Sequence, residues 1–223
     1  MKALPAINTL LFILCIPVLL ITTDVRFAAN SIQLYEYGFN KYEVSEKMEL
    51  NKEELRDVAQ HLIDYFNSDQ EFIDAEVFNE RDVLHLKDVK GLIQLVYRLQ
   101  FIALAYIILY IVFNFIMLRS SLWRKLARRL IWGCWATIAL IAAIGFIALV
   151  GFDELFLWFH LVSFRNELWQ LYPGDPLLVM FPQGFFNDAT LFIAAAVIVE
   201  ALVIWGIAWG YLRFSDKRMV PQK

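Results

Sequence analysis

Four long apolar runs alternate with charged segments along the chain. The runs cover Leu4–Thr23, about Leu99–Leu118, Leu130–Val150 and Ala189–Leu212. A helix rises about 1.5 Å per residue, so about 20 mostly apolar residues cross the hydrocarbon core of a bilayer. The pattern predicts an all-α membrane protein with four transmembrane helices and a small, mostly helical extracytoplasmic cap.

The first run has two interpretations. Lys2 before an apolar segment is typical of a cleaved secretory signal. However, the run is longer than the usual core of such a signal. Arg26 and Phe27 also occupy the positions where a small-x-small cleavage site would need small residues. We therefore expect an uncleaved span.

The distribution of basic residues predicts the orientation. Residues 119–129 hold five basic residues and no acid, and the chain after Leu212 holds four basic residues and one acid. Residues 24–98 hold sixteen acids against nine bases, and residues 151–188 hold five acids against one base. We expect both termini on the cytoplasmic side and both acidic segments outside. The basic segment needs no partner beyond anionic lipid, so nothing indicates nucleic-acid binding.

The predicted organisation has eight parts. They are transmembrane helix 1 (1–23), an extracytoplasmic cap with a lead-in to helix 2 (24–98), helix 2 (99–118), a basic cytoplasmic loop (119–129), helix 3 (130–150), an extracytoplasmic loop with a histidine motif (151–188), helix 4 (189–212) and a cytoplasmic tail (213–223).

Within the cap, "NKEELRDVAQHLIDYFN" reads as an amphipathic helix. Asn51 and Glu54 form a capping-box pattern. The apolar residues recur at helical spacing, so the stripe needs cover from the rest of the cap or from lipid: Leu55, Val58, Ala59, Leu62, Ile63 and Phe66. His61 lies off the stripe and is expected at the surface.

The second outer segment is aromatic and rich in turns. "YPGDP" (Tyr172–Pro176) predicts a tight turn, and "MFPQGFF" (Met180–Phe186) is typical of an interfacial segment. Asn187 or Asp188 is the predicted cap of the fourth span.

The stretch "NERDVLHLKDVK" (Asn79–Lys90) is the densest run of ionisable side chains and contains a histidine. Asn79 is a predicted N-cap. On a helix, Arg81, His85 and Asp88 fall within an arc of about 60°. A carboxylate there would orient the ring and favour its protonated form, which suits acid–base work. The alternative is a solvated charged face.

A second histidine lies in "FLWFHLVSFRNELWQL". Read as a helix, this stretch places His160 on one face with Ser163, Phe164 and Glu167. Two of the three histidines therefore stand beside membrane entries on the predicted outer side, where they could form one site. Ser163 could also be read as a nucleophile activated by His160. However, it lies on the same helix as His160 and lacks the strained turn on which such serines usually stand. A metal site of His85, His160 and Asp88 has no supporting ligand motif, and haem ligation is disfavoured because both histidines lie outside the spans.

Other cofactor sites find no support. Cys15 and Cys134 lie inside apolar runs, so they predict neither a disulfide framework nor a metal site. No glycine-rich phosphate-binding loop is present, so no nucleotide is expected.

Three polar residues in the spans leave alternatives open. Glu200 and Asn114 predict either a buried hydrogen bond or a proton path. Arg98 either snorkels outward or faces a polar cavity. If the bilayer boundary were at Leu99, His85 would hang about 20 Å above it. We expect a bend near Gly91, or a boundary nearer Leu92.

"FNERDVLHLKDVK", followed by a span and then "HLVSFRNELWQLYPGDPLLVMFPQGFFNDA", resembles the bacterial lipoprotein intramolecular transacylase (Lit) family over most of the chain. The resemblance implies an enzyme of the outer leaflet of the bacterial cytoplasmic membrane, with its active site on the extracellular side. Its substrate would be a lipoprotein with a diacylglyceryl-modified N-terminal cysteine. The sn-2 acyl chain would move to the α-amino group, which leaves a lyso-lipoprotein.

By the same resemblance, His85 and His160 are the catalytic pair, and neither a metal nor a nucleotide is required. Arg81, Asp88, Lys90 and Arg165 are predicted to orient the rings or position the substrate. Two other classes remain open: a non-enzymatic accessory or sensor protein whose cap binds a partner, and a transporter with Glu200 on a proton path.

Overall fold

The computed structural model describes residues 3–118 and 122–217, with side chains described for 6–116 and 122–215. Within these ranges the chain forms nine α-helices and no strand: α1 (Ala3–Ala29), α2 (Ile32–Lys41), α3 (Val44–Met48), α4 (Lys52–Phe66), α5 (Glu80–Leu118), α6 (Leu122–Val150), α7 (Phe152–Ser163), α8 (Pro176–Met180) and α9 (Gln183–Lys217). The predicted all-α class is confirmed. Some of the basic residues that predict the orientation lie outside the described residues, namely those at position 2 and in residues 119–121 and 218–223.

Four helices, α1, α5, α6 and α9, are long and apolar enough to cross a membrane. The prediction of a multi-pass membrane protein with four spans is confirmed. Two details differ from the expected organisation. The segment expected as a basic loop is helical from Leu122 onward. Helix α9 begins at Gln183, so the predicted cap at Asn187 or Asp188 is wrong.

The described chain divides into two compact units. One, the bundle unit, contains residues up to 24, 98–144 and from 193 onward; the other, the cap unit, contains residues 25–97 and 145–192. Helix α5 continues without interruption through Gly91, so the expected bend is not a break in the helix.

The bundle unit packs apolar side chains from its four helical segments. Its buried core is formed by Phe12, Ile16, Leu20, Ile107, Tyr110, Leu126, Cys134, Ile141, Ala194, Val197 and Ala201. Small residues let the helix backbones approach closely, as is common in membranes. A Cβ atom on Gly133 would come within 2.7 Å of Ile16. Many large apolar side chains instead lie on the surface, for example Phe101 and Leu109, as expected where the surrounding solvent is lipid.

The predicted hydrogen bond between Asn114 and Glu200 is absent from the described residues. The amide of Asn114 donates instead to the carbonyl of Tyr110, at 2.8 Å. This partner is four residues back on the same helix, so Asn114 satisfies its donor locally without a second helix. Arg98 is exposed, as snorkelling would require.

The cap unit has its own apolar core, to which α4 contributes the predicted stripe. Asn51 accepts a hydrogen bond from the Glu54 amide at 3.0 Å, and the Glu54 carboxylate accepts one from the Asn51 amide at 2.7 Å. The predicted capping box is confirmed. Of the stripe, Leu55, Ala59, Leu62, Ile63 and Phe66 are buried. His61 is exposed, as predicted.

The cover for this stripe comes from the second outer segment. Leu177, Met180, Phe181 and Phe185 belong to the same buried cluster as the α4 stripe. The interpretation of "MFPQGFF" as an interfacial segment is therefore wrong for these core residues. Two segments about a hundred residues apart in the chain share one core, so neither needs lipid to bury its apolar side chains.

Polar contacts tie the start of α9 to α2 inside the cap unit. Lys41 Nζ lies 2.6 Å from a carboxylate oxygen of Asp188, and the Tyr42 hydroxyl donates to the same oxygen at 2.9 Å. Gly38 lies under the ring of Phe185, where a Cβ atom would come within 2.5 Å of the ring. The residue expected to cap the fourth span therefore anchors α2 instead.

Replacing Leu62 by alanine should destabilise the cap unit. Leu62 is 3% exposed, and truncating such a leucine costs about 2–5 kcal/mol, because contacts are lost and a cavity remains. We expect a lower unfolding midpoint in detergent micelles, measured by denaturant titration. The adjacent exposed residue supplies the control: His61→Ala should change the midpoint little. Equal effects of the two variants would contradict the described core.

Candidate active site

The start of α5 is fixed within the cap unit. The side-chain oxygen of Asn79 accepts a hydrogen bond from the Asp82 amide at 2.9 Å, so Asn79 caps the helix as predicted. Asp82 is fully buried and accepts from the Leu177 amide at 3.4 Å. Asn79 also donates to Asp175 at 2.9 Å. These contacts hold the first turn of α5, and His85 follows three residues after Asp82, so it faces the same buried side.

Helix α7 positions the second histidine. His160 is 7% exposed, and its Nδ1 lies 2.7 Å from the carbonyl of Phe156, one turn earlier. A carbonyl only accepts, so Nδ1 carries the proton in this contact, and Nε2 keeps its lone pair. The helix ends at Ser163, and Phe164 is extended. The expectation of one helix through Phe164 and Glu167 is therefore wrong.

The two predicted histidines lie side by side. Their ring centroids are 6.3 Å apart, close enough for one water or substrate group to bridge them. The ring of Phe164 packs on both, at 5.1 Å from His85 and 5.5 Å from His160. Phe156 and Trp169 lie 4.3 Å and 5.0 Å from the His160 ring. The pair therefore sits in an aromatic enclosure with little solvent.

This enclosure disfavours the charged form of both imidazoles. Both residues lie outside the apolar runs that we assign to the membrane. Burial, aided by the proximity of His160, lowers the pKa of His85 to about 4. Burial also lowers the pKa of His160, although the contact with Phe156 opposes the shift. The Asp88 carboxylate raises the pKa of His85, as expected, but desolvation by burial outweighs it, so the net shift is downward.

Arg81 and Asp88 serve the site through the loop after α7. The Arg81 guanidinium donates to the backbone carbonyl of Glu167 at 2.5 Å and lies 5.0 Å from the ring centroid of Tyr172. Asp88 accepts from the amide of Asn166 at 2.8 Å. Within the described chain, neither is hydrogen-bonded to a histidine ring. The buried Nδ1 of His85 has no hydrogen-bond partner there.

The other two predicted residues lie in different places. Lys90 is about 140° around α5 from His85. Its ammonium donates to Gln70 at 2.5 Å and Ser68 at 3.3 Å, and lies 4.2 Å from the ring centroid of Tyr65. It is therefore a structural contact away from the pair. Arg165, in contrast, is exposed on the rim of a groove beside the histidines.

That groove has a volume of about 370 Å³ and is lined by Asp88, Gly91, Leu92, Leu95, Ser163, Phe164, Arg165 and Asn166. The α5 wall is apolar beyond Asp88, and the opposite wall carries Ser163, Arg165 and Asn166 beside the ring of Phe164. Ser163 faces the groove without a described hydrogen bond to a histidine ring, so the geometry gives it no activating base.

Within the described residues, no cluster of three or more His, Cys, Asp or Glu side chains is arranged to hold a metal ion. The proposed ligand Asp88 is instead engaged by Asn166.

The sequence did not single out Trp169 and Asn166, and it placed Phe164 beside His160 without indicating its contact with His85. The aromatic density of "FLWFHLVSFRNELW" is a signal of an enclosure around His160. The role of Asn166 leaves no signal in the sequence, since a single exposed amide in a loop indicates no partner.

Three comparisons with known proteins bear on this fold. The model of the family described as lipoprotein intramolecular transacylase Lit matches residues 10–186. A membrane-integral lipoprotein intramolecular transacylase of Bacillus cereus has a TM-score of 0.83 at 18% identity, over 99% of this chain and 100% of that one. A variant of that protein with one histidine replaced by arginine has a TM-score of 0.78 at 17% identity, over 98% and 95%.

A curated relative is an uncharacterised protein of Aquifex aeolicus. It is 26% identical over 131 residues, which are 57% of this chain and 54% of that protein. The match thus spans about half of that relative's length.

Titration should show that the pKa of each site histidine lies below that of an ordinary histidine. In a His61→Gln background only His85 and His160 remain, and NMR of their ring carbons should show both titrating below about 6.5, the value of an unperturbed histidine. Because the unfolded state binds these protons first, stability should fall as pH decreases from about 6.5 towards 4. The loss of stability on acidification should therefore be smaller in His85→Asn than in the parent protein. Ring pKa values at or above 6.5 would contradict the buried, neutral pair.

Proposed function

The chain belongs to the lipoprotein intramolecular transacylase (Lit) family of membrane acyltransferases, and we propose that it moves the sn-2 acyl chain of a diacylglyceryl-modified lipoprotein to the α-amino group of its N-terminal cysteine. The product is a lyso-form lipoprotein. One observation carries the assignment: two buried imidazoles lie side by side, next to a groove whose α5 wall is apolar beyond Asp88.

The reaction exchanges one bond for another. The α-amino nitrogen attacks the ester carbonyl carbon, a C–N bond forms, and the C–O bond to glycerol breaks. A proton leaves the nitrogen and a proton arrives at the glycerol oxygen, so the reaction needs a base and an acid but no net proton source. An ester becomes a more stable amide, so neither a nucleotide nor a metal is required.

The hydrogen bonding favours His160 as the base. Its Nδ1 proton is held by the Phe156 carbonyl, so Nε2 is the free acceptor. We assign His85 to the glycerol oxygen, because its buried Nδ1 has no partner among the described residues and a substrate oxygen would supply one. The ring separation of 6.3 Å allows the proton to return from one imidazole to the other through a bridging group.

Much of the rate acceleration is expected from the proximity of the two reacting groups in the substrate. Amine and ester belong to one molecule, so binding them in one cavity supplies proximity without a second substrate. Arg81 and Asp88 would position the segment that carries Phe164 against α5. Arg165, exposed at the rim, is suited to an anionic or carbonyl oxygen of the substrate.

We place the site on the extracellular side of the bacterial cytoplasmic membrane, with both termini in the cytoplasm. The acidic residues of 24–98 and 151–188 and the basic residues between the second and third spans support this orientation. The partners are then the diacylglyceryl-cysteine of a lipoprotein and the phospholipid of the membrane.

Alanine at either histidine should reduce turnover by about 10²–10⁴, the usual contribution of one general acid or base. Purified protein in micelles is mixed with a synthetic diacylglyceryl-cysteine peptide, and mass spectrometry locates the acyl chain on oxygen or nitrogen. His61→Ala is the matched control, since His61 is exposed in the same unit, and should retain parental turnover.

Two outcomes would contradict the proposal. One is unchanged acyl transfer in a folded variant with alanine at both His85 and His160. The other is a folded parent protein that converts no lipopeptide, which would favour the accessory or sensor alternative.

A further inference from the structure

We propose that Gly91, Leu92 and Leu95 form the seat of the acyl chain that is transferred, and that the missing side chain of Gly91 sets the room for it. This inference rests on the proposed function and deepens it, since it names the part of the protein that selects the substrate by chain length.

The groove separates polar from apolar contacts along one stripe of α5. Asp88, Gly91, Leu92 and Leu95 stand at positions i, i+3, i+4 and i+7, which is one face of a helix. The stripe extends about 10 Å along the helix axis. Its polar end is formed by Asp88 with Asn166, and Arg165 adds a cation to the rim. The apolar end has room for a chain but offers it no hydrogen-bonding side chain.

Phe164 connects this seat to the histidines. Its ring packs on both imidazoles, and the same residue lines the groove. A chain lying on the apolar stripe therefore ends, at its polar carbonyl, beside the histidine pair. This order of groups matches an ester, whose carbonyl must lie beside the histidine pair, where the amine attacks it, while its hydrocarbon chain leaves water.

No neighbouring side chain in the described part of the protein requires a glycine at position 91. A Cβ atom there would meet no heavy atom within 4 Å, and glycine inside a helix costs about 1 kcal/mol relative to alanine. Gly38 and Gly133, in contrast, are each required by a neighbouring side chain closer than 3 Å. Leu95 is 47% exposed beside Gly91. This stripe thus keeps apolar surface and free space that no described side chain fills.

The test combines Gly91→Leu with substrates of different chain length. Synthetic diacylglyceryl-cysteine peptides carry either a hexadecanoyl or an octanoyl chain at sn-2, with hexadecanoyl kept at sn-1. We expect the long-to-short ratio of transfer to fall at least tenfold in Gly91→Leu. Gly206→Leu is the matched control, because Gly206 is also a helical glycine with no atom near its absent Cβ and is not part of this groove. The ratio in Gly206→Leu should equal that of the parent.

Three results would overturn the inference while leaving the proposed function intact. The first is a parental ratio in a folded Gly91→Leu. The second is discrimination that follows the length of the sn-1 chain instead, in peptides with the two chains exchanged. The third is equal loss of long and short substrates, which would point to a general defect.

A binding experiment keeps the inference independent of turnover. A lipopeptide with a diazirine in its sn-2 chain is irradiated with the double variant His85→Ala and His160→Ala, which is expected to hold the substrate unconverted. Labelling within residues 91–95 supports the seat, and labelling confined to other segments overturns it. An inactive parent that still labels 91–95 would count against the proposed function alone.

Discussion

The candidate site depends on two hydrogen bonds that hold the segment after α7 against α5. Arg81 binds the Glu167 carbonyl, and Asp88 binds the Asn166 amide. Between α7 and these anchors stands Phe164, whose ring covers both histidines. If the segment were released, the imidazoles would gain water, and the desolvation that keeps them neutral would weaken. The charged residues of the stretch therefore act through the loop rather than on the rings.

A shared apolar core makes this arrangement possible. The cap unit buries the α4 stripe against side chains of α8 and the start of α9, and Asp82 links the first turn of α5 to the amide of Leu177. The first turn of α5, which leads to His85, is thereby fixed to this core, and the Arg81 and Asp88 contacts join the segment after α7 to the same helix. Such fixed contacts suit acid–base catalysis, because a proton transfer loses efficiency when the two heavy atoms are not held at hydrogen-bonding distance.

The fold was largely readable because its strongest signals are local. Each of the four spans is one contiguous apolar run, and the Asn51 capping box and the Asn79 cap each depend on residues within one helical turn. The number of spans and both caps are present as predicted. The errors concern segments whose environment is set by distant residues. "MFPQGFF" has the composition of an interfacial segment, yet Phe181 and Phe185 find a protein core supplied by α2 and α4. Asp188 has the chemistry of a cap but is engaged by Lys41.

The sequence by itself determined the class of the protein, the number of its spans and the identity of its two candidate histidines, because hydropathy and rare titratable residues are properties of the chain alone. Only the tertiary structure revealed the direction in which the pKa of each histidine is shifted. Asp88 three residues from His85 suggested a charged imidazole, but burial under Phe164 and beside His160 lowers the pKa. Only the fold could also separate Lys90, turned towards Ser68 and Gln70, from Arg165 at the groove. Desolvation and side-chain direction depend on what packs nearby, and a linear pattern does not contain that information.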